Sequence, residues 1–345
     1  MLRKLNLLFL ITFICSSALL AKHKVNHFFI EMESPTAKLR FGYVEKDGER
    51  YVQKYYLNKN GSDIGWREFE KIFTKKYKKT KRKKNDLLFY THGFQAHKVS
   101  YQEVINEQMH QHLYELKDNS YKTTVSLVWH SNINYKAMRG KTIDMGKRFA
   151  GIVNVLIDAS KEKKSKRKIS FLNHSMGNRI FEGIFLGLRS LRKTNTPYVS
   201  NVIFAAPDIE SNTFDEGGTL EHIDRFCKQA TVYRHKRDLT LSMSKLINIR
   251  DRLGLDGITN MESVPSNVYL IDVSSAKETE DKPDKISRHR YFTGSPIVRQ
   301  DIFNILNPKK AKSYPKRTVL DHARKFSIED VDDLSTKSKK RYKRK

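Results

Sequence analysis

A serine sits at the sharpest change of pattern in the chain. Ile169, Phe171 and Leu172 make a short apolar run, Asn173-His174-Ser175-Met176-Gly177 follows, and Ile180, Phe181, Ile184, Phe185, Leu188 and Leu191 then recur at helical spacing. Strand, turn and helix, with glycine two residues after the serine, is the layout of the nucleophile elbow G-x-S-x-G. Such a turn lifts a hydroxyl above a sheet edge, beside a helix N-terminus that favours negative charge. The departure is Asn173, which stands where the motif has glycine. Asn tolerates unusual backbone angles better than most residues but is bulkier than glycine. Taken alone, a serine here equally serves to satisfy helix-start N–H groups, so the chemistry has to be supported from elsewhere in the chain.

A serine nucleophile needs a base within hydrogen-bond reach and an acid that orients the base. With this kind of elbow the chain order is serine, acid, histidine. Beyond the apolar run Val268–Val273 only His289 and His322 remain. His322 falls in a basic tail, whereas His289 falls in Ser287-Arg288-His289-Arg290-Tyr291-Phe292, between the last clear strand and a late helix, and is the expected base. Two acids compete: Asp238 follows the second strand after the elbow and Asp208 the first, with Asp238 preferred and Asp208 the alternative. Two N–H donors are needed for an oxyanion. Met176, directly after the serine, is one; Phe94, after His92-Gly93, is the other, with His92 shaping that loop rather than moving protons. His110 and His112 lie two apart on an expected helix and so face different ways, which makes a poor metal pair. No metal or organic cofactor is called for.

The elements that would position these groups alternate. Strands are expected at His27–Met32, at Leu39–Val44 and Tyr51–Tyr56 around an Asp47-Gly48 hairpin turn, and at Asp86–Tyr90, Thr123–Trp129, Val202–Asp208, Ala230–Tyr233 and Val268–Val273. Helices are expected at Trp66–Phe73, 100–117, 137–160, after the elbow, and around Ile302–Leu306. Lys75–Lys84, with eight basic residues in ten, and Lys161–Lys168 read as solvated loops. Strands alternating with helices indicate a mainly parallel α/β sheet, whose site lies at the carboxyl ends of the strands. His92, Ser175, Asp208 and Asp238 all fall just after strands.

Composition bounds the setting. Among 345 residues, 66 Lys and Arg against 38 Asp and Glu leave a net charge of +28, a balance that favours polyanionic partners without choosing between nucleic acid, lipid headgroups and acidic polymers. The N-terminus narrows the choice. Arg3 and Lys4 precede the apolar stretch Leu5–Cys15, and small residues follow, the form of a secretory signal peptide over residues 1–21; Leu19–Ala21 could instead extend it into an uncleaved anchor. Export and the lack of a nucleic-acid motif count against a nucleic-acid partner. Cleavage would remove Cys15 and leave Cys227 alone, so no intramolecular disulfide is expected. Cys227 reads as a small packed side chain. From residue 309 onward the chain is basic and thinly apolar, with seven Lys or Arg in Lys337–Lys345, and reads as a tail without fixed structure.

Several pieces together, Thr91-His92-Gly93-Phe94, His174-Ser175-Met176-Gly177-Asn178, Ala206-Pro207-Asp208, Asp238 with Arg252-Leu253-Gly254, and His289-Arg290-Tyr291, resemble a family of bacterial α/β-hydrolases of unknown function. The resemblance covers roughly residues 86–306. It implies an α/β-hydrolase fold, with helices on both faces of the sheet, and a serine-hydrolase triad, and it implies no substrate. The chain then divides into a signal peptide (1–21), N-terminal strands, helix and basic loop (22–85), the hydrolase domain (86–308) and the tail (309–345). The function expected is an exported serine hydrolase, esterase or lipase-like, acting on a small-molecule or lipid ester, with basic tracts that could hold it to an anionic membrane or polymer. The second reading is a non-catalytic binding protein of the same fold that docks to anionic envelope polymers or lipids. Amidase or peptidase chemistry on the same residues stays open.

Overall fold

The computed structural model describes residues 26–47, 50–79, 85–94, 109, 119–131, 134–161, 167–277, 284–308 and 317–329. Residues 1–21, the 100–117 stretch (His110 and His112 included) except Met109, residues 80–84 and 162–166 of the two basic tracts, and the end of the tail lie outside the described residues.

One sheet organises the chain. Its strands are β1 (Asn26–Met32), β2 (Arg40–Asp47), β3 (Arg50–Tyr55), β4 (Asp86–Thr91), β5 (Tyr121–Trp129), β6 (Ile169–His174), β7 (Val199–Ala205), β8 (Cys227–Arg234), β9 (Val268–Ser275), β10 (Arg317–Val319) and β11 (Lys325–Glu329). Their order is β10-β11-β9-β8-β7-β6-β4-β5-β1-β2-β3. From β11 across to β1 every neighbouring pair is parallel, and the antiparallel pairs β2–β3, β1–β2 and β10–β11 fall at the two edges. The helices are α1 (Trp66–Lys79), α2 (Tyr135–Ser160), α3 (Gly177–Arg192), α4 (Leu239–Asn248), α5 (Asp284–Ser287), α6 (Tyr291–Gly294) and α7 (Pro296–Leu306).

Central strands of such a sheet are apolar on both faces because both are covered. Leu87 and Phe89 of β4, Phe171 of β6, and Val202 and Phe204 of β7 pack into one core with Phe149 and Val153 of α2 and Phe181 and Ile184 of α3. The alternate residues Leu88, Tyr90, Leu172 and Ile203 point the other way, into a second core with Tyr291, Val298, Ile302 and Leu306 of α6 and α7. The period of two along each strand thus deals its side chains to two helix layers. Cys227 is buried in the first core and its thiol is free, as a packed small side chain would be.

Two expectations are corrected. The helix starting at Trp66 does not stop at Phe73: it runs through Lys79, so the first half of the basic tract Lys75–Lys84 is helix rather than loop. Phe69, Phe73 and Tyr77 recur every four residues and are buried, and the Tyr77 hydroxyl donates to the Asn85 carbonyl at 2.7 Å, while Lys75, Lys76 and Lys78 take the solvent side. The tail is also not structureless throughout. Arg317–Val319 and Lys325–Glu329 add two strands beyond β9, anchored by buried Ile328 and by the paired hydrogen bonds of Arg317 to Asp301 at 2.9 Å. Charged residues at a sheet edge disguise a strand, since edge strands tolerate them and gain protection from further pairing. No helix of the described residues is long and apolar enough to cross a membrane.

Candidate active site

Register brings the expected residues to one end of the sheet. Thr91 of β4 stands opposite Asn173 of β6, His174 opposite Ala205 of β7, and Ala205 opposite Tyr233 of β8. The residues that follow these strands, His92 to Phe94, Ser175, Ala206 to Asp208 and His235 to Asp238, therefore emerge side by side at the carboxyl edge.

Ser175 has φ 52°, in the left-handed region that a side chain ordinarily avoids. A non-glycine residue there costs on the order of 1 kcal/mol or more and persists only where its surroundings fix it. They do so here: its N–H donates to the Ala205 carbonyl at 3.0 Å, and its carbonyl accepts from Asn178 N at 3.0 Å, Asn178 Nδ2 at 2.8 Å and Asp208 N at 3.2 Å. The unusual angle thus falls on the serine itself, while Asn173 remains an ordinary strand residue. Asn173 thus needs no positive φ, but both polar atoms of its buried amide lack a hydrogen-bond partner among the described residues. Gly177 cannot be replaced so easily. A Cβ there would sit 2.3 Å from the His92 carbonyl oxygen and 2.7 Å from that of Thr91, so α3 approaches the end of β4 only because position 177 has no side chain.

His289 and Asp238 meet. The imidazole Nδ1 lies 2.7 Å from Asp238 Oδ2, and both side chains are buried. Donation from Nδ1–H to the carboxylate leaves Nε2 as the free acceptor of a neutral ring. Burial disfavours the charged ring, but the charge and hydrogen bond of Asp238 outweigh it and raise the His289 pKa above its ordinary 6.5. The other oxygen of Asp238 caps α4, with Oδ1 accepting from Leu241 N at 2.9 Å. His174 holds the His289 ring from the other side: its Nε2 is 3.3 Å from the His289 carbonyl and its ring lies 4.9 Å from the His289 ring, centroid to centroid. Burial, reinforced by the nearby His289 and Arg290, holds the pKa of His174 well below 6.5, so it stays neutral.

Asp208 is engaged elsewhere. Tyr135 donates to its Oδ2 at 2.6 Å and Ser244 to its Oδ1 at 2.5 Å, Arg139 Nη1 donates to its backbone carbonyl at 2.9 Å, and the Arg139 and Arg252 guanidinium groups stand 3.7 and 3.8 Å from its Oδ1. Asp208 ties α2, α4 and the Arg252 loop to the turn after β7. Tyr135, Arg139 and Ser244 carried no sequence signal; each lies far from Asp208 in the chain. The wider order of motifs pointed only to Arg252.

On the other flank, His92 is buried and stacked on Trp129 with an interplanar angle of 4°. Its Nδ1 is 2.7 Å from the Gly93 carbonyl, and its Nε2 accepts from Trp129 N at 3.1 Å. Burial lowers its pKa to about 4. With both nitrogens engaged, His92 shapes the loop that ends in Phe94. Phe94 meets the Tyr135 ring edge-on at 5.7 Å.

A cleft of about 590 Å³ opens over these groups, within the range of small-ligand sites. Ser175, His289 and Phe94 line it, and Leu239, Met243 and Ile247 of α4 and Ile286 of α5 give it an apolar wall. His322 lies elsewhere, 3.1 Å from Glu262 near the β10–β11 edge.

The model of one family, described as an alpha/beta hydrolase of unknown function (DUF900), matches residues 67–305. That is more than half of the chain, and the chain belongs to this family. No curated protein gives a match.

Proposed function

We propose that this member of the alpha/beta hydrolases is an exported serine hydrolase of carboxylic esters. One observation carries the reading. A serine held at positive φ between strand and helix shares a cleft with a histidine whose far nitrogen is bonded to a buried carboxylate.

In this reading Ser175 Oγ attacks the ester carbonyl carbon and its proton passes to His289 Nε2. Asp238 holds the ring by Nδ1–H and stabilises the imidazolium that forms. The carbonyl oxygen, now an oxyanion, takes hydrogen bonds from the N–H groups of Met176 and Phe94, at the N-terminus of α3. As the tetrahedral adduct collapses, the C–O bond to the alcohol breaks and His289 returns the proton to the leaving oxygen. Water then attacks the acyl-serine with His289 again as base, releasing the carboxylic acid and restoring Ser175. The apolar wall of the cleft suits an acyl chain, which favours an ester of an apolar acid over a charged peptide. Export rests on the leader-like residues 1–21.

A fluorophosphonate probe tests the reading. Folded wild-type protein should gain the mass of the phosphonyl group on the peptide bearing Ser175 and lose hydrolysis of p-nitrophenyl esters, and Ser175→Ala should do neither chemistry. An unlabelled folded wild-type chain that hydrolyses no ester would leave a binding protein of the same fold.

A further inference from the structure

A surface helix of a water-soluble domain turns its apolar stripe inward and its polar residues outward. Helix α4 also shows apolar residues on its outer side. Leu241 and Ser244 face the core, while Leu239, Met243, Leu246 and Ile247 recur at i, i+4, i+7 and i+8 on the exposed side. Leu246 is 78% exposed, Ile249 just beyond the helix 88%, and Ile286 on α5 75%. Lone exposed apolar residues are ordinary; a contiguous set marks a contact surface. The set is also continuous with the cleft, since Leu239, Met243, Ile247 and Ile286 line the cavity that holds Ser175 and His289.

Charge around the stripe is mainly positive, although Asp251 and Asp256 beside it pair with Lys245 at 2.8 and 2.7 Å and Asp272 pairs with Lys236 at 3.3 Å. The run Leu239–Arg250 contains no acidic residue, exposed Lys236 and Arg237 precede it, and exposed Arg250 ends it. An apolar strip edged by cations, on a chain of net charge +28, matches an anionic phospholipid surface, in which acyl chains lie beneath negative headgroups. We propose that the outer face of α4, with Ile249 and Ile286, seats the protein on anionic phospholipid, with the mouth of the Ser175 cleft against the lipid. Substrate then enters from the lipid side. Its acyl chain passes along Leu239, Met243 and Ile247, and its carbonyl reaches Ser175. The substrate class becomes esters of long-chain acids held in a lipid layer. This last part rests on the ester-hydrolase reading; docking itself does not.

The test therefore uses protein carrying Ser175→Ala, so that binding is read without turnover. Partition is measured by co-sedimentation with phosphatidylglycerol–phosphatidylcholine vesicles, with and without the added pair Leu246→Ser and Ile249→Ser. Both added positions are on the surface, so the melting temperature should hold and serves as the folding control. Moving a side chain of this size out of water is worth about a tenfold change in partition or more, so the pair should weaken partition about a hundredfold. The measurement is repeated at about 1 M salt, where exposed charges more than about 3 Å apart are screened and the basic tail contributes little; the difference between the two proteins should persist there. At low salt, vesicles of phosphatidylcholine alone should bind less well. Equal partition by the two proteins would overturn the proposal, as would failure of the Ser175→Ala protein to bind vesicles. Concentration-dependent dimerisation abolished by the same pair, without vesicle binding, would assign the face to a second copy of the chain instead. If binding behaves as expected while wild-type protein hydrolyses no ester, the docking surface stands and the ester-hydrolase reading falls.

Discussion

Replacing Asp238 by Asn separates its two jobs atom by atom. In the wild type, Oδ2 accepts from His289 Nδ1 at 2.7 Å and Oδ1 accepts from Leu241 N at 2.9 Å. An asparagine has only one such oxygen. If that oxygen keeps the cap on Leu241, the amide NH₂ confronts Nδ1, which must then be the unprotonated nitrogen. The proton moves to Nε2, and a ring protonated there cannot accept the serine's proton. If the oxygen turns to His289, the cap is lost and two donors face each other at the start of α4. The first arrangement costs turnover, by analogy with the protease triad about 10⁴-fold, or roughly 5.4 kcal/mol of transition-state stabilisation. The second instead costs a cap, about 1 kcal/mol of stability, and two opposed donors at a buried site, about 1–3 kcal/mol more, which makes the first the favoured arrangement. Asp208→Asn should do the reverse. It weakens two hydrogen bonds to a buried carboxylate, each worth about 1.5–3 kcal/mol, and removes the charge beside Arg139 and Arg252. Its melting temperature should fall well below that of Asp238→Asn, while the fraction that stays folded keeps most of its turnover. Steady-state hydrolysis of a short p-nitrophenyl ester, alongside thermal unfolding by circular dichroism, reads both. An Asp238→Asn protein within tenfold of wild-type kcat, or an Asp208→Asn protein that loses turnover without losing stability, would refute the assignment of the acid.

Four further outcomes are expected. kcat/KM for a soluble ester should rise with pH through a midpoint above 6.5, because the free base must be neutral and Asp238 holds its proton more tightly than usual; in Asp238→Asn any residual acid limb should move below that of the wild type, since burial stays while the charge of Asp238 is gone. The sign for stability is opposite: with its folded pKa raised, His289 contributes fully below about 6.5, and that contribution fades as pH climbs through the folded value, which the pH dependence of urea midpoints would show as a difference between wild type and His289→Gln. Gly177→Ala should cost about 1–3 kcal/mol through backbone crowding at Thr91 and His92 and should depress kcat as well, since the same shift moves Phe94; wild-type melting and turnover would contradict this. Deleting Lys337–Lys345 should weaken binding to anionic vesicles at low salt, each basic residue near the surface being worth about 1 kcal/mol, with soluble-ester turnover unchanged; equal binding by the two proteins would remove the tail from attachment.

Most of the sheet was legible because its strands carry apolar runs bounded by turn residues, and the carboxyl ends of those runs are where Ser175, Asp208, Asp238 and His92 stand. His289 was legible by elimination, as the last histidine before the late helix. Three things were not. Helix α4 escaped because its apolar positions are split between inward Leu241 and outward Leu239, Met243, Leu246 and Ile247, which blurs a single stripe. β10 and β11 escaped because their edge position tolerates Arg317, Lys325 and Glu329 where a central strand would show apolar residues. The separate employment of Asp208 escaped because it depends on Tyr135 and Ser244, brought together only by the packing of α2 and α4.

The carboxylate of Asp238 is a joint between a helix and a ring. One of its oxygens is fastened to the first turn of α4 and the other to the imidazole, and the next residue along, Leu239, already belongs to the outer strip of that helix. Whatever presses, tilts or loosens α4 therefore has a path one side chain long to the ring of His289. In the proposed reaction, a load on the outside of the molecule would be felt as a rotation at the base. For an engineer this sets a rule of thumb: cross-links or fusions placed on α4 change the rate before they change the fold, whereas the same alterations on α1, across the sheet and far along the strand order, leave the ring where it is.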